Sequence, residues 1–381
     1  MDRVSRNKLV ETTQSFFKDT FGYQPNYTSS APGRINIIGE HTDYNLGLAM
    51  PVGIDRWICV SISIRKDKKI HVYSKNYEKN LQYSLSSKKL GNFLWEKYVI
   101  GLISVVQENY KIKFGFNMLI YGNVPIGLGV SSSAALEVAI LGSISALFRL
   151  SLSSTKFLQI CSRVDNEYVG VKSGLLDQYV SLLSKKQGPM IIDFSKLDHE
   201  IIDCSIDNCE FVLINSTVDR SLLQSEYNKR VEQCNKGLEL INMKMNYSKK
   251  INEINHTDLD CLDRHSLYFS RLHHLITENQ RVYEMHLAIK EKDLYKMGSI
   301  LNQSHISLSK DYEVSCSKIE SIIQVSSQAP GFYGSRIMGG GFGGCTLSLV
   351  SSTRLEEFAS FIKKFKIKPI RVKFSSGLKL H

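Results

Sequence analysis

The chain has 381 residues, 43% hydrophobic and 22% charged, which suits a globular protein built as two domains of ordinary size. Its formal charge of +11 is spread among acidic residues along the chain, which argues against a nucleic-acid partner. No apolar run reaches the ~18 residues that a bilayer crossing needs, and the eight cysteines form no CxxC pair or zinc-like spacing, so reduced thiols and a cytoplasmic location are expected.

In chain order, Val4, Leu9, Phe16 and Phe17 fall at helical spacing with no hydrophobic block before a cleavage site, so residues 1–17 predict an amphipathic surface helix and not a signal peptide. From Ala31 to Arg56 the chain then sets Arg34, Glu40, His41, Asp43 and Tyr44 among turn-forming glycines. So many charged and hydrogen-bonding groups suit a polyol better than a core, because each hydroxyl of a sugar both donates and accepts. His41 alone would read as a satisfied polar residue; its neighbours in GEHTDY reverse that.

Residues 57–85 alternate polar and apolar in short runs, as antiparallel strands do, and helical periodicity follows over 96–109 and 132–150. Between them PIGLGVSSSA, at 125–134, places glycines and serines directly before a helix, where free backbone N–H groups can meet a phosphate. The run is neither a Walker A nor a GxGxxG fingerprint, and simple helix capping explains it equally well in isolation. Further helices are expected through the 220s and from the 270s to the 300s, with strands at PMIIDF, FVLINS and GCTLSLV. The adjacent His273 and His274 face different sides of a helix and have no third ligand at a useful offset. GGGFGG, at 339–344, lets backbone approach a ligand or merely links a hairpin, and KKFKIKPIRVK, at 363–373, predicts a surface strand with a charged outer face. The mixed order predicts an α+β fold, divided near Gly188 into domains 1–188 and 189–381.

Four blocks in order, GRINIIGEHTDYN, VPIGLGVSSSAALEVA, GLLDQYVS and SRIMGGGFGGCTLSLV, closely resemble the galactokinases of the GHMP small-molecule kinases, and LINSTVDRSLLQSEYNKRVEQC and SHISLSKDYEVSC extend the likeness over nearly the whole chain. The resemblance implies a two-domain GHMP kinase fold, ribosomal-protein-S5-like at the N-terminus and ferredoxin-like at the C-terminus, with the active site between. It implies that Asp177 and Arg34 are catalytic, that Arg34, Glu40, His41, Asp43, Gly174, Asp177 and Tyr227 hold galactose, and that Gly127, Gly129, Ser131, Ser132, Trp95 and Tyr98 hold ATP. Ser133 and Asp165 are its implied Mg²⁺ ligands. Three positions depart from the family: Leu128 and Val130 are bulkier or differently shaped in the phosphate loop, and Asp165 replaces a Glu, with Glu167 available to compensate. The implied activity is galactose 1-phosphorylation by ATP in a monomer; the rivals are an N-acetylgalactosamine 1-kinase and a non-catalytic galactose and ATP sensor.

Overall fold

The computed structural model describes residues 4–87, 91–171, 174–203, 207–218 and 223–381. Helix α1 (Arg6–Phe21) starts at Ser5, whose side chain accepts the Lys8 N–H, and stops at Gly22 in the left-handed region. Its buried Leu9 and Val10 pack on Trp57 and Cys59. Next come β1 (Tyr27–Asn36), β2 (Leu48–Ala49), β3 (Pro51–Ile64), β4 (Lys69–Ser74), β5 (Lys79–Ser84), α2 (Leu94–Asn109) and β6 (Phe116–Gly122). The long antiparallel pair β1–β3 is the spine of a sheet that continues through β6 to β4, which runs parallel to β6, and ends at β5.

Helices α3 (Ser132–Phe148), α4 (Ser154–Val164) and α5 (Leu176–Leu183) complete this half. Val60, Ile62, Phe116 and Met118 of the sheet meet Val99, Leu102, Val138, Leu141 and Cys161 of the helices in one core. Helix α3 is apolar on nearly every side because the sheet, α2 and α5 surround it. Glu137 is its one charged residue.

The chain continues through β7 (Met190–Asp193), β8 (Asp198–Ile201), β9 (Cys209–Asn215), α6 (Leu223–Met245), α7 (Leu267–Glu291), α8 (Leu294–Lys310) and α9 (Ser317–Ser327). It ends with β10 (Phe332–Met338), β11 (Cys345–Ser351), α10 (Leu355–Lys363), β12 (Pro369–Arg371) and β13 (Lys379–Leu380). A second, antiparallel sheet has the order β10–β11–β9–β12, and a small third sheet joins β2, β7 and β8. Ile35, Ile37, Met50 and Val52 of the first half share a core with Leu213, Met285, Leu301 and Leu347 of the second. Residue 188 lies at the entrance to the small sheet, and β13 returns to pair with β1, so strands of each half reach into the other.

The strand expected over 363–373 is mostly absent: Lys363 closes α10, turns follow, and only Pro369–Arg371 pairs with β9. The reason is the apolar stripe Leu355, Phe358 and Ile362, which keeps the segment before it helical against β9 and β11. GGGFGG is the turn between β10 and β11.

Candidate active site

A cavity of about 420 Å³ opens where the ends of β1, α3 and α5 meet the β10–β11 turn. Its wall includes Arg34, Glu40, His41, Asp43, Tyr98, Gly127, Gly129, Ser131, Ser132, Ser133, Asp165, Gly174, Asp177 and Tyr227. Of the residues expected to form the site, only Trp95 falls outside this wall.

At the centre, β1 bulges between Pro32 and Arg34, turning the guanidinium toward α5. Arg34 Nε and Nη2 both lie 2.7 Å from Asp177 Oδ1, and Nη1 donates to the carbonyl of Gly129 in the phosphate loop. The burial of the Arg34 guanidinium opposes its charge, but Asp177 and Glu40 outweigh it, so it stays firmly cationic. Gly33 is required beside it, because a Cβ there would stand 2.6 Å from the Val130 carbonyl.

On one side of this pair lies the sugar motif, held largely from the second half of the chain. Glu40 Oε1 accepts the Gly339 N–H at 2.8 Å and faces the guanidinium of Arg336 at 3.2 Å. Arg336 is fully buried on β10 and also donates to the carbonyls of Asn36, Ile37 and Ile337. Glu278 on α7 accepts the N–H groups of Gly39 and Glu40 at 2.9 and 3.2 Å and pairs with Arg281 at 2.7 Å. Burial alone would raise the Glu278 carboxyl, yet Arg281, His274 and Arg336 hold it down at about 2.

His41 occupies the left-handed region with φ 64°, and its ring sits among Tyr44, Tyr227 and Tyr312. Burial, with help from His274 and Arg230, pushes its pKa well below the usual 6.5, so the imidazole is neutral. Nδ1 bonds the Tyr44 hydroxyl at 2.9 Å, while Nε2 is buried without a partner. Asp43 is pushed up to about 7, first by burial and then by the charge of Asp177. Gly174 passes so close that a Cβ would meet Asp43 Oδ2 at 1.9 Å, and its N–H bonds the Tyr227 hydroxyl.

On the other side, Gly127, Gly129 and Ser131 have positive φ, so the chain winds tightly into the start of α3. The Ser131 hydroxyl is buried without a partner, and Ser132 and Ser133, which open α3, line the same cavity. Leu128 and Val130 alternate away from the cavity and are 6% and 1% exposed in the core that joins the two halves. Their size therefore anchors the loop without occupying the cavity. Asp165 begins a π-helical turn and is buried, within hydrogen-bond reach of the Tyr98 hydroxyl, which also bonds Ser133. Glu167 points outward to Arg163, with bonds of 2.8 and 2.9 Å, and so does not compensate for the shorter Asp165.

The comparisons with known proteins meet at this cavity. A model of the galactokinase galactose-binding signature matches residues 15–64, which include Arg34, Glu40, His41 and Asp43. The chain is 32% identical to a galactokinase of Staphylococcus carnosus over 93% of each chain. It belongs to the galactokinase family. Another galactokinase, from Clostridium perfringens, is 34% identical over 92% of each chain. The GHMP kinase N-terminal and C-terminal domain models match residues 97–185 and 285–368, so the fold is that of the GHMP kinases. Lactococcus lactis galactokinase complexed with galactose superposes with a TM-score of 0.88 at 29% identity, over 97% of this chain and 99% of that one. A mevalonate kinase of Methanococcus jannaschii, with a TM-score of 0.67 and 17% identity, shares the fold alone.

Trp95, expected beside the nucleotide, does not line this cavity. It is 6% exposed, packed in the first core and stacked on Tyr77 at 6.4 Å, while Leu94 and Tyr98 of the same helix reach the cavity. Tyr98 contributes its hydroxyl, through Ser133 and Asp165. Sequence reasoning missed Arg336, Glu278, Tyr312, Glu137 and Gln178. Glu137 left a signal, as the one acid in the apolar helix AALEVAI. Arg336, between Ser335 and Ile337 in a strand otherwise buried, left another.

Proposed function

We propose that the chain transfers the γ-phosphoryl group of ATP to the C1 hydroxyl of α-D-galactose, giving galactose 1-phosphate and ADP, the first committed step of galactose catabolism. The observation that carries this reading is the Arg34–Asp177 pair, which sits between the phosphate loop and the sugar motif and touches both. Glu40, His41, Asp43, Gly174 and Tyr227 take the sugar hydroxyls; the unpartnered His41 Nε2 is a site that a hydroxyl would satisfy. Gly127, Gly129, Ser131, Ser132 and the start of α3 cradle the phosphates.

Asp177 holds the C1 hydroxyl. As its oxygen bonds to the γ-phosphorus and the bond from that phosphorus to the oxygen bridging it to the β-phosphate breaks, the hydroxyl proton passes to the Asp177 carboxylate. A carboxylate is a far weaker base than the alkoxide it would have to generate, so this transfer is late, accompanying formation of the new P–O bond. Arg34 faces the charge that spreads over the transferred group.

Asp165 and Ser133 offer a carboxylate and a hydroxyl on the phosphate side, hard oxygen donors of the kind Mg²⁺ takes together with substrate phosphates. They would hold Mg²⁺, which would neutralise phosphate charge. The inward packing of Leu128 removes one reason to favour a non-catalytic sensor. We place the enzyme in the cytoplasm as a monomer, with the division 1–188 and 189–381 describing its two lobes. The test is ATP-dependent phosphorylation of galactose beside glucose and N-acetylgalactosamine: turnover confined to galactose is expected, and faster turnover of N-acetylgalactosamine would contradict the assignment.

A further inference from the structure

Behind the phosphate side of the cavity, three buried side chains share one amide. Gln178, next to Asp177 on α5, donates one hydrogen to Asp165 Oδ2 at 2.7 Å and the other to Glu137 Oε2 at 2.9 Å. Glu137 is 0% exposed, Gln178 3% and Asp165 6%. Gln178 and Asp165 reach the cavity wall, and Glu137 lies behind them on α3. The amide has thus spent both of its hydrogens on two carboxyl groups, while Gln178 Oε1 and Glu137 Oε1 stay buried without partners.

A core needing only stability gains little from burying two acids around one amide. What the set does is fix a direction. Asp165 has a short stem, so its carboxylate reaches a ligand only if something aims it, and Gln178 holds one of its oxygens from behind. Glu137 in turn fixes the rotation of the Gln178 amide. Because Gln178 follows Asp177 in the same helix, α5 sets both the carboxylate of the sugar side and the aim of the carboxylate on the phosphate side.

We propose that Gln178 is a positioning residue for the metal–nucleotide end of the site, aiming Asp165 while Glu137 locks Gln178. The proposal rests on the reading that Asp165 meets the divalent cation carried with ATP. Partners one step behind a metal ligand typically change metal affinity by about 10–100-fold when removed.

The test measures Mn²⁺ binding to the protein with a non-hydrolysable ATP analogue by electron paramagnetic resonance, beside the Mg²⁺ dependence of turnover and galactose affinity. Gln178→Leu is expected to weaken Mn²⁺ binding about 10–100-fold and to raise the Mg²⁺ needed for half-maximal rate, with kcat at saturating Mg²⁺ and galactose affinity within about twofold of wild type. Gln178→Met, which also lacks donors, carries the same prediction if the Leu variant does not fold. Glu137→Leu should reproduce the loss. Glu137→Gln should rescue it, because its carbonyl accepts the same Gln178 hydrogen and its NH₂ can donate to Gln178 Oε1. Unchanged Mn²⁺ binding in folded Gln178 variants, while Asp165→Asn weakens it, overturns the proposal. Unchanged binding in Asp165→Asn would instead remove the metal reading beneath it.

Discussion

Arg336→Met tests whether the second half of the chain builds the sugar site. Arg336 is fully buried, and its guanidinium meets Glu40 Oε1 at 3.2 Å and the carbonyls of Asn36, Ile37 and Ile337. Methionine fills much of that volume without a donor. Removing one partner of a buried ion pair costs about 3–5 kcal/mol, and the bonds of one guanidinium are too coupled to be summed on top of that figure. For a chain of this size, with a urea dependence of roughly 3 kcal/mol per molar, the unfolding midpoint should fall by roughly 1 M or more. Glu40 keeps the Gly339 N–H and the charge of Arg34 but loses its ion-pair partner, so galactose affinity should fall at least tenfold, while the KM for ATP moves little. The assay pairs urea unfolding with galactose binding by calorimetry. A folded Arg336→Met protein within about 1 kcal/mol of wild type, with unchanged galactose affinity, would refute the argument that this residue carries Glu40.

The remaining expectations concern protons, close approaches and one buried aromatic. Asp43 is raised to about 7, so galactose, whose hydroxyl would donate to the charged form, should bind roughly tenfold more tightly at pH 8 than at pH 6, and Asp43→Asn should flatten that slope. The stability sign is opposite: a raised carboxyl loses folding stability as pH rises from ~4 to 7, while His274, lowered to about 4, gains it over ~4 to 6.5, so binding and not unfolding is the proper readout. Gly33→Ala would drive a Cβ to 2.6 Å from the Val130 carbonyl, so the phosphate loop must shift; steady-state kinetics should show a raised KM for ATP with galactose binding retained. Trp95→Phe should lower thermal stability through a core void and leave the KM for ATP unchanged; a rise above threefold would return Trp95 to the nucleotide site.

What the sequence carried and what it lost follow from the range of the interactions. Arg34, Glu40, His41 and Asp43 lie within ten positions, and Ser131, Ser132 and Ser133 open a helix, so local pattern places them in one cavity. Helices α2, α3, α7 and α8 fall where 3.6-residue periodicity puts them. By contrast, the Glu40–Arg336 and Gly39–Glu278 contacts span 296 and 239 positions, and nothing near Glu40 announces either partner. Trp95 parts from Tyr98 for a geometric reason: three residues away, it shares roughly one helix face, yet a small rotation about the axis decides core or cavity wall. The short β12 shows a competing period, since the lysines of 363–368 fit a strand's outer face and a helix end alike.

The central claim is that Asp177 takes the proton of the sugar hydroxyl as phosphate is transferred, and Asp177→Asn is the direct test. With turnover and galactose binding measured on the same folded protein, the account predicts that kcat falls at least a thousandfold while galactose affinity stays within about tenfold, since the amide still holds the hydroxyl but cannot accept its proton. A variant that keeps most of its kcat would contradict it.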